Sequence, residues 1–530
     1  MLIIQIFHFS FFHTFLNNAN ISLVIARKSA LVVITNFSAG LLNYVALYLI
    51  ARYYEFPKFA LGLLNFAVGF VALFSMISNL GFPQAHIKRI SEGKDIGKCN
   101  ATFFSIRFFL TGVMIAAVFS AIFIWKYVMG RGFETPLQEK AVYVMLCYYI
   151  LLTLARNFTV TYRAKMEIAV AQLPFLAEAF ARTIATAYFV FYGFEAIWIV
   201  YTYVIGGFAF FLSAILFFRE PVDKPSREYL SIYLKFAIPL SLVSVSFIIM
   251  TNLDKVLIQL FWGYEQGADY FSIVRLTRFI NNITVAFGML LLPTMSAMYV
   301  KSKMDKMTDV TLKAERYISM ILMPIVFLLI FLAKPILYIL LSKKFYTAIP
   351  ILQILPLFAL FDALERPYQT KLLGMDLPKF ARNRMLIMVL INVALNIILI
   401  PKDIKSLGIK LFGLAGVGAA IATVVAYFAG LTYTRVIIYK MSGTGINLSV
   451  IKHFLAGIVA GLLTSYINRF YIVERWYDLA FLFIIGIAIY LAILAAIREF
   501  KKEDMHLFLD TANPVKMLSY IKEEVKEKRK

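Results

Sequence analysis

A set of ionisable residues falls inside stretches otherwise apolar enough to span a bilayer, among them Arg107, Glu178, Arg182, Asp254, Lys255, Arg275, Arg278, Lys334, Asp362, Glu365 and Arg366. A charge at the centre of such a stretch costs about 2.5–3.5 kcal/mol on an insertion scale, so each should face a wet cavity, a partner or a ligand. Arg275 and Arg278 are three residues apart and therefore share one helix face. Two guanidinium forks on one face suit phosphate or pyrophosphate, because they match paired oxygens and stay protonated when partly desolvated. Neither has an acid one turn away on its own helix; Asp254, on the preceding helix, is the alternative partner. Arg182, Lys255 and Arg366 complete the candidate cationic set for such a phosphate. Glu178 with Arg182, and Asp362 with Arg366, are four apart, so an intrahelical ion pair fits each as well as a ligand contact does. Arg107 and Lys334 lie near span ends, where snorkelling to headgroups is the expected behaviour.

The elements that carry these charges are transmembrane helices. A 530-residue chain with 61% hydrophobic and 16% charged residues cannot clothe a soluble globule. Peptide groups in hydrocarbon must bond within their own segment, and runs of about 20 residues suit helices, which predicts an all-α polytopic membrane protein. We expect about fourteen spans, at 30–51, 59–80, 102–125, 141–161, 172–192, 196–218, 233–261, 268–298, 317–341, 346–370, 385–401, 412–434, 453–468 and 479–497. Alternate loops hold 24 Lys and Arg against 12 in the others, so the richer side is cytoplasmic and both termini lie there.

Residues 1–27 are an N-terminal segment of uncertain status, either an interfacial stretch over Met1–Leu16 or upstream of the true start near Val24. Residues 28–218 then form one six-helix lobe, 219–232 a connector with Pro221 and Pro225, and 233–440 a second lobe. Spans 13 and 14 occupy 441–498, and 499–530 is a charged tail with Val515, Leu518 and Val525 along one face. Tyr54-Glu55 after the first span and Tyr264-Glu265 after the seventh are a faint echo of duplication, and repeated halves commonly enclose a substrate site.

The net charge of +23 is dispersed over membrane-flanking loops, where it sets orientation and meets membrane lipids, so nucleic acid is not an expected partner. Cys99 and Cys147 have no metal-ligand spacing and are not expected to pair. The five histidines form no catalytic set with a serine or cysteine, and the longest outer loop is only Lys126–Lys140, so an enzyme is not expected.

Two pairs of phrases carry a resemblance. Asn392–Pro401 (NVALNIILIP) followed by Gly413–Thr423 (GLAGVGAAIAT), and Asn252–Leu276 followed by Leu291–Ser296 (LLPTMS), resemble helices eleven and twelve, and seven and eight, of polysaccharide exporters in the multidrug/oligosaccharidyl-lipid/polysaccharide superfamily. The similarity covers roughly residues 28–440. It implies two six-helix lobes around a central cavity, a flippase for lipid-linked oligosaccharides, and a role for Asp254, with Asn252, in coupling Na+ or H+. Relatives that move peptidoglycan precursor carry an Arg-Asp pair in the first helix, whereas Ser38–Ile50 has no charge here, which favours another glycan. Packing alone accounts for Gly413, Gly416, Gly418, Ala419, Ala420 and Ala422, since small residues let helices approach in lipid.

The expected function is therefore a cell-membrane transporter that turns a polyprenyl-(pyro)phosphate-linked oligosaccharide or polysaccharide repeat unit across the bilayer by alternating access, acting as a monomer without a cofactor. A cation-coupled multidrug antiporter of the same superfamily is the alternative, with a membrane glycan polymerase or ligase behind it.

Overall fold

The computed structural model describes residues 19–500, except 129, 131, 166, 301–303, 405–407 and 446. The expectations for Met1–Leu16 and for Val515, Leu518 and Val525 fall outside them. The chain runs as α1 (Ala19–Tyr53), α2 (Pro57–Asn79), α3 (Phe82–Ser91), α4 (Ile96–Phe123), α5 (Pro136–Ala164), α6 (Ile168–Phe191), α7 (Ala196–Phe217) and α8 (Arg227–Val300). It continues as α9 (Met304–Phe331), α10 (Ala333–Leu340), α11 (Ile349–Ile354), α12 (Pro356–Gly374), α13 (Pro378–Leu399), α14 (Ala415–Ser442), α15 (Leu448–Ile467) and α16 (Trp476–Ala496). A two-residue antiparallel ribbon, Asp403–Ile404 with Ile409–Lys410, closes the α13–α14 loop.

Thirteen helical runs among the described residues are long and apolar enough to cross a membrane, against about fourteen expected. The difference lies in α8, where the spans expected at 233–261 and 268–298 follow one another without a loop. Gly263, at φ 76° and ψ −172°, interrupts the helix between them. A side chain there would be strained, so a glycine permits the break.

Local signals explain the other boundaries. Asp95 caps α4 by accepting from the Lys98 amide at 2.8 Å, and Thr135 caps α5 by accepting from Gln138 at 3.2 Å. Pro57 and Pro136 stand at first helical positions, where no amide donor is needed.

The chain forms two compact units. One comprises Ser38–Leu276 and Met385–Ala426. Its buried centre is α2 and α5, packed by α3, α4, α6 and α7. The α6–α7 contact is close because Gly206 has no side chain: a Cβ there would stand 3.1 Å from the Glu178 carbonyl oxygen. Gly418 does the same for α13 and α14, its absent Cβ falling 2.8 Å from the Leu399 carbonyl oxygen. The segment between α7 and α8 is tied to α4, with Asn100 Nδ2 donating to the Pro221 carbonyl at 2.8 Å and Ser226 N to Thr102 Oγ1 at 3.1 Å.

Among the described residues the other unit holds 19–37, Thr277–Arg384 and 427–500, with α9 against α12, α15 and α16. Past α16, Glu499 ties the middle of α9 to the start of α15: Arg316 Nε donates to it at 3.0 Å and Lys452 Nζ at 2.8 Å. Burial pushes the Glu499 carboxyl up, but hydrogen bonds from Lys452, Ser449 and Arg316 outweigh that and hold it at about 2.

Candidate anion-binding site

In the unit containing α2 and α5, two guanidiniums flank one tyrosine. Tyr203 projects from α7; Arg182 of α6 lies with its Cζ 4.7 Å from the ring centroid, and Arg275 of α8 lies 5.7 Å from it. Arg275 also donates through Nη2 to the Tyr203 hydroxyl and stands 4.5 Å over the Phe271 ring. Aromatic faces attract a guanidinium without neutralising it.

Arg182 is held from two further sides. Its Nη1 donates to Glu178 Oε1 at 3.2 Å, the geometry of an intrahelical pair, and its Nη2 donates to Asn43 Oδ1 of α1. Glu178 also accepts from the Tyr148 hydroxyl at 2.8 Å. The Arg182 Nε is buried and has no acceptor among the described residues. A buried donor left unsatisfied costs about 1–3 kcal/mol, which an anion's oxygen would recover.

The remaining candidates are distributed among other arrangements. Asp254 is buried; its Oδ2 accepts from the Tyr270 hydroxyl and its Oδ1 from the Lys255 amide at 2.8 Å. Lys255 turns its ammonium onto Asn252 Oδ1 at 2.6 Å, and its carbonyl accepts from Asn65 Nδ2 at 3.2 Å. In the other unit, Arg278 is exposed, and Arg366 Nη2 donates to Asp362 Oδ2 at 2.7 Å. Arg384 joins that pair, 3.6 Å from Asp362 and 3.2 Å from the fully buried Glu365, which accepts from Thr434 at 3.0 Å.

Arg107 departs from the expectation of snorkelling. It is 1% exposed and its donors end on Asn157 Oδ1, Asn79 Oδ1 and the carbonyls of Ser78 and Thr153. Lys334 is exposed.

Sequence reading missed Tyr203, Asn43 and Arg384. The first two are uncharged and carry no local signal; Arg384 was assigned to the loop before a span. A separate cleft of about 620 Å³ between α4 and α5 is lined by Phe119, Phe123, Tyr127 and Tyr143, but its charges, Lys126 and Glu139, pair with each other at 3.1 Å.

The fold defines the class first. The chain is similar to the lipid II flippase MurJ in its inward closed conformation, with a TM-score of 0.71 and 17% identity over 88% of this chain and 98% of that one. It is also similar to an inward-facing multidrug resistance transporter of the MATE family, with a TM-score of 0.62 and 18% identity over 80% of this chain and 100% of that one. This is a multi-pass membrane protein with the fold of the multidrug/oligosaccharidyl-lipid/polysaccharide superfamily. A profile for polysaccharide biosynthesis proteins matches residues 25–299, and the chain belongs to that family. Among curated relatives, the uncharacterized membrane protein MJ1068 of Methanocaldococcus jannaschii is 28% identical over 182 residues, which is 34% of each chain. The match thus spans about a third of that relative's length.

Proposed function

We propose that the protein is a flippase that carries a polyprenyl-(pyro)phosphate-linked oligosaccharide or polysaccharide repeat unit from the cytoplasmic to the outer leaflet of the cell membrane. The observation that carries this reading is the Arg182–Tyr203–Arg275 stack, two cations brought together inside an apolar helical unit. A glycan phosphate crossing hydrocarbon loses its hydration shell, and fixed guanidinium donors replace it. The prenyl chain stays in lipid, and no covalent bond forms or breaks, so the protein need not be an enzyme. The Lys and Arg excess on one set of loops supports cytoplasmic termini.

In this reading residues 28–218 and 233–440 are the lobes that alternate access, joined through 219–232, with 441–498 and the tail 499–530 appended. Arg278, Lys255 and Arg366 remain candidate contacts for the phosphate or glycan. Asp254, beside Asn252, is the group whose protonation or Na+ binding biases one state over the other, because a ligand shifts a conformational equilibrium only through differential affinity.

Replacing Arg275 and Arg278 together with Gln is expected to abolish transport of lipid-linked sugars in proteoliposomes at normal membrane expression; retained transport would overturn their role. Asp254→Asn is expected to remove dependence on the Na+ or H+ gradient, and unchanged dependence would count against it. The rival within the fold class is a multidrug antiporter, which takes cations. Gradient-driven uptake of a cationic dye, with no transport of lipid-linked sugars, would decide for the rival.

A further inference from the structure

Further along α5 from the Tyr203 stack, two arginines pair with no described carboxylate. Tyr149, Arg156 and Arg163 follow one another at intervals of seven, and an α-helix drifts only about 20° per heptad, so they form one stripe. All three are partly exposed, while Leu152, Thr153 and Val160 beside them are buried. Arg107 of α4 lies against the same stretch, bonded to Asn157 at 3.1 Å and to the Thr153 carbonyl at 3.4 Å. Every acceptor it uses is neutral. Arg156 is near enough to both Arg107 and Arg163 for their like charges to repel, and none of the three forms an ion pair with a described carboxylate.

The stripe leads somewhere. Arg163, in the last turn of α5, lies 5.2 Å over the Phe175 ring. At the opposite end the Tyr149 ring meets Tyr148 at 5.4 Å, Tyr148 meets Tyr203 at 5.4 Å, and Tyr203 holds Arg275. The fourteen steps from Tyr149 to Arg163 cover about 21 Å of helix axis at 1.5 Å each. Clustered cations without counter-charge are costly in an apolar bundle, and a bound anion removes that cost.

We propose that Arg156 and Arg163, backed by Arg107, form a second phosphate station on α5, which receives the (pyro)phosphate of a prenyl-linked substrate near the inner face before it reaches Arg275 and Tyr203. This rests on the flippase reading and on its orientation. Guanidinium forks at successive levels of one helix give the headgroup bidentate contacts along its way, while aromatic rings between them tolerate the sugar and prenyl parts.

Binding of geranylgeranyl pyrophosphate, inorganic pyrophosphate and geranylgeraniol to the full chain in detergent tests this. Wild type should bind geranylgeranyl pyrophosphate well above the other two. The double variant Arg156→Gln, Arg163→Gln should weaken that binding about 10-fold or more, since one tenfold step is only about 1.4 kcal/mol. Its thermal midpoint should hold or rise, because repulsion is relieved, and Arg156→Lys with Arg163→Lys should restore part of the affinity. Wild-type affinity in the Gln variant, alongside loss in Arg275→Gln, would overturn the second station and leave the flippase reading standing. Absence of binding by wild type would overturn both. Equal affinity for inorganic pyrophosphate would overturn the prenyl-linked assignment.

Discussion

At the residue scale the chain separates two kinds of buried charge. Glu178 with Arg182, and Asp362 with Arg366 and Arg384, are tied to opposite charges, whereas Arg107 ends on carbonyls and side-chain amides. A charge of the second kind stays uncompensated among the described residues. Tyr203→Phe keeps the ring between the two guanidiniums and deletes the hydroxyl that accepts from Arg275. A hydrogen bond to a charged group is worth about 1.5–3 kcal/mol, so transport should fall about 10-fold while the fold persists; an unchanged rate would show that the ring alone matters. Glu178→Gln should act differently. It leaves Arg182 uncompensated and should lower the thermal midpoint, a loss of about 3 kcal/mol if the site stays dry, measured by unfolding in detergent.

At the element scale, close helix approach is set by the absence of side chains. Gly62 of α2 faces Tyr264, and a Cβ there would stand 2.5 Å from the Tyr264 carbonyl oxygen. That atom is backbone and cannot swing aside. Gly62→Val should cost about 1–3 kcal/mol through overpacking, whereas Gly112→Ala in α4, with open space around it, should be near neutral. The same logic explains the run before and within α14: Ala419, Ala420 and Ala422 are fully buried, and Gly418 lies against Leu399.

At the scale of the whole molecule, stability against acid should be felt at the chain's last described turn. The Glu499 carboxyl is held at about 2, below its ordinary 4.5, so the clasp on Arg316 and Lys452 is complete above pH 4.5 and is lost as pH falls toward 2. Between pH 5 and 9 this group contributes no slope. Glu499→Gln should lower stability at pH 7 by about 1 kcal/mol and flatten the acid limb of the profile, both readable from thermal unfolding. A variant as stable as wild type at pH 7 would mean that the clasp contributes nothing.

The sequence by itself determined the all-α membrane architecture, because uninterrupted apolar runs of span length leave a backbone no other way to satisfy its amides in lipid. Spacing also proposed the Glu178–Arg182 and Asp362–Arg366 neighbours, since four residues return a helix to the same face. Only the tertiary structure decided what lies across from each charge. Nothing local to Tyr203 marks it as standing between arginines from α6 and α8, 21 residues before and 72 after it in the chain. Arg107 looked like a snorkelling residue because its depth along a span was legible and its neighbours were not. Helical periodicity reports the face a side chain occupies, whereas its electrostatic surroundings come from other helices, and those are brought near only by packing.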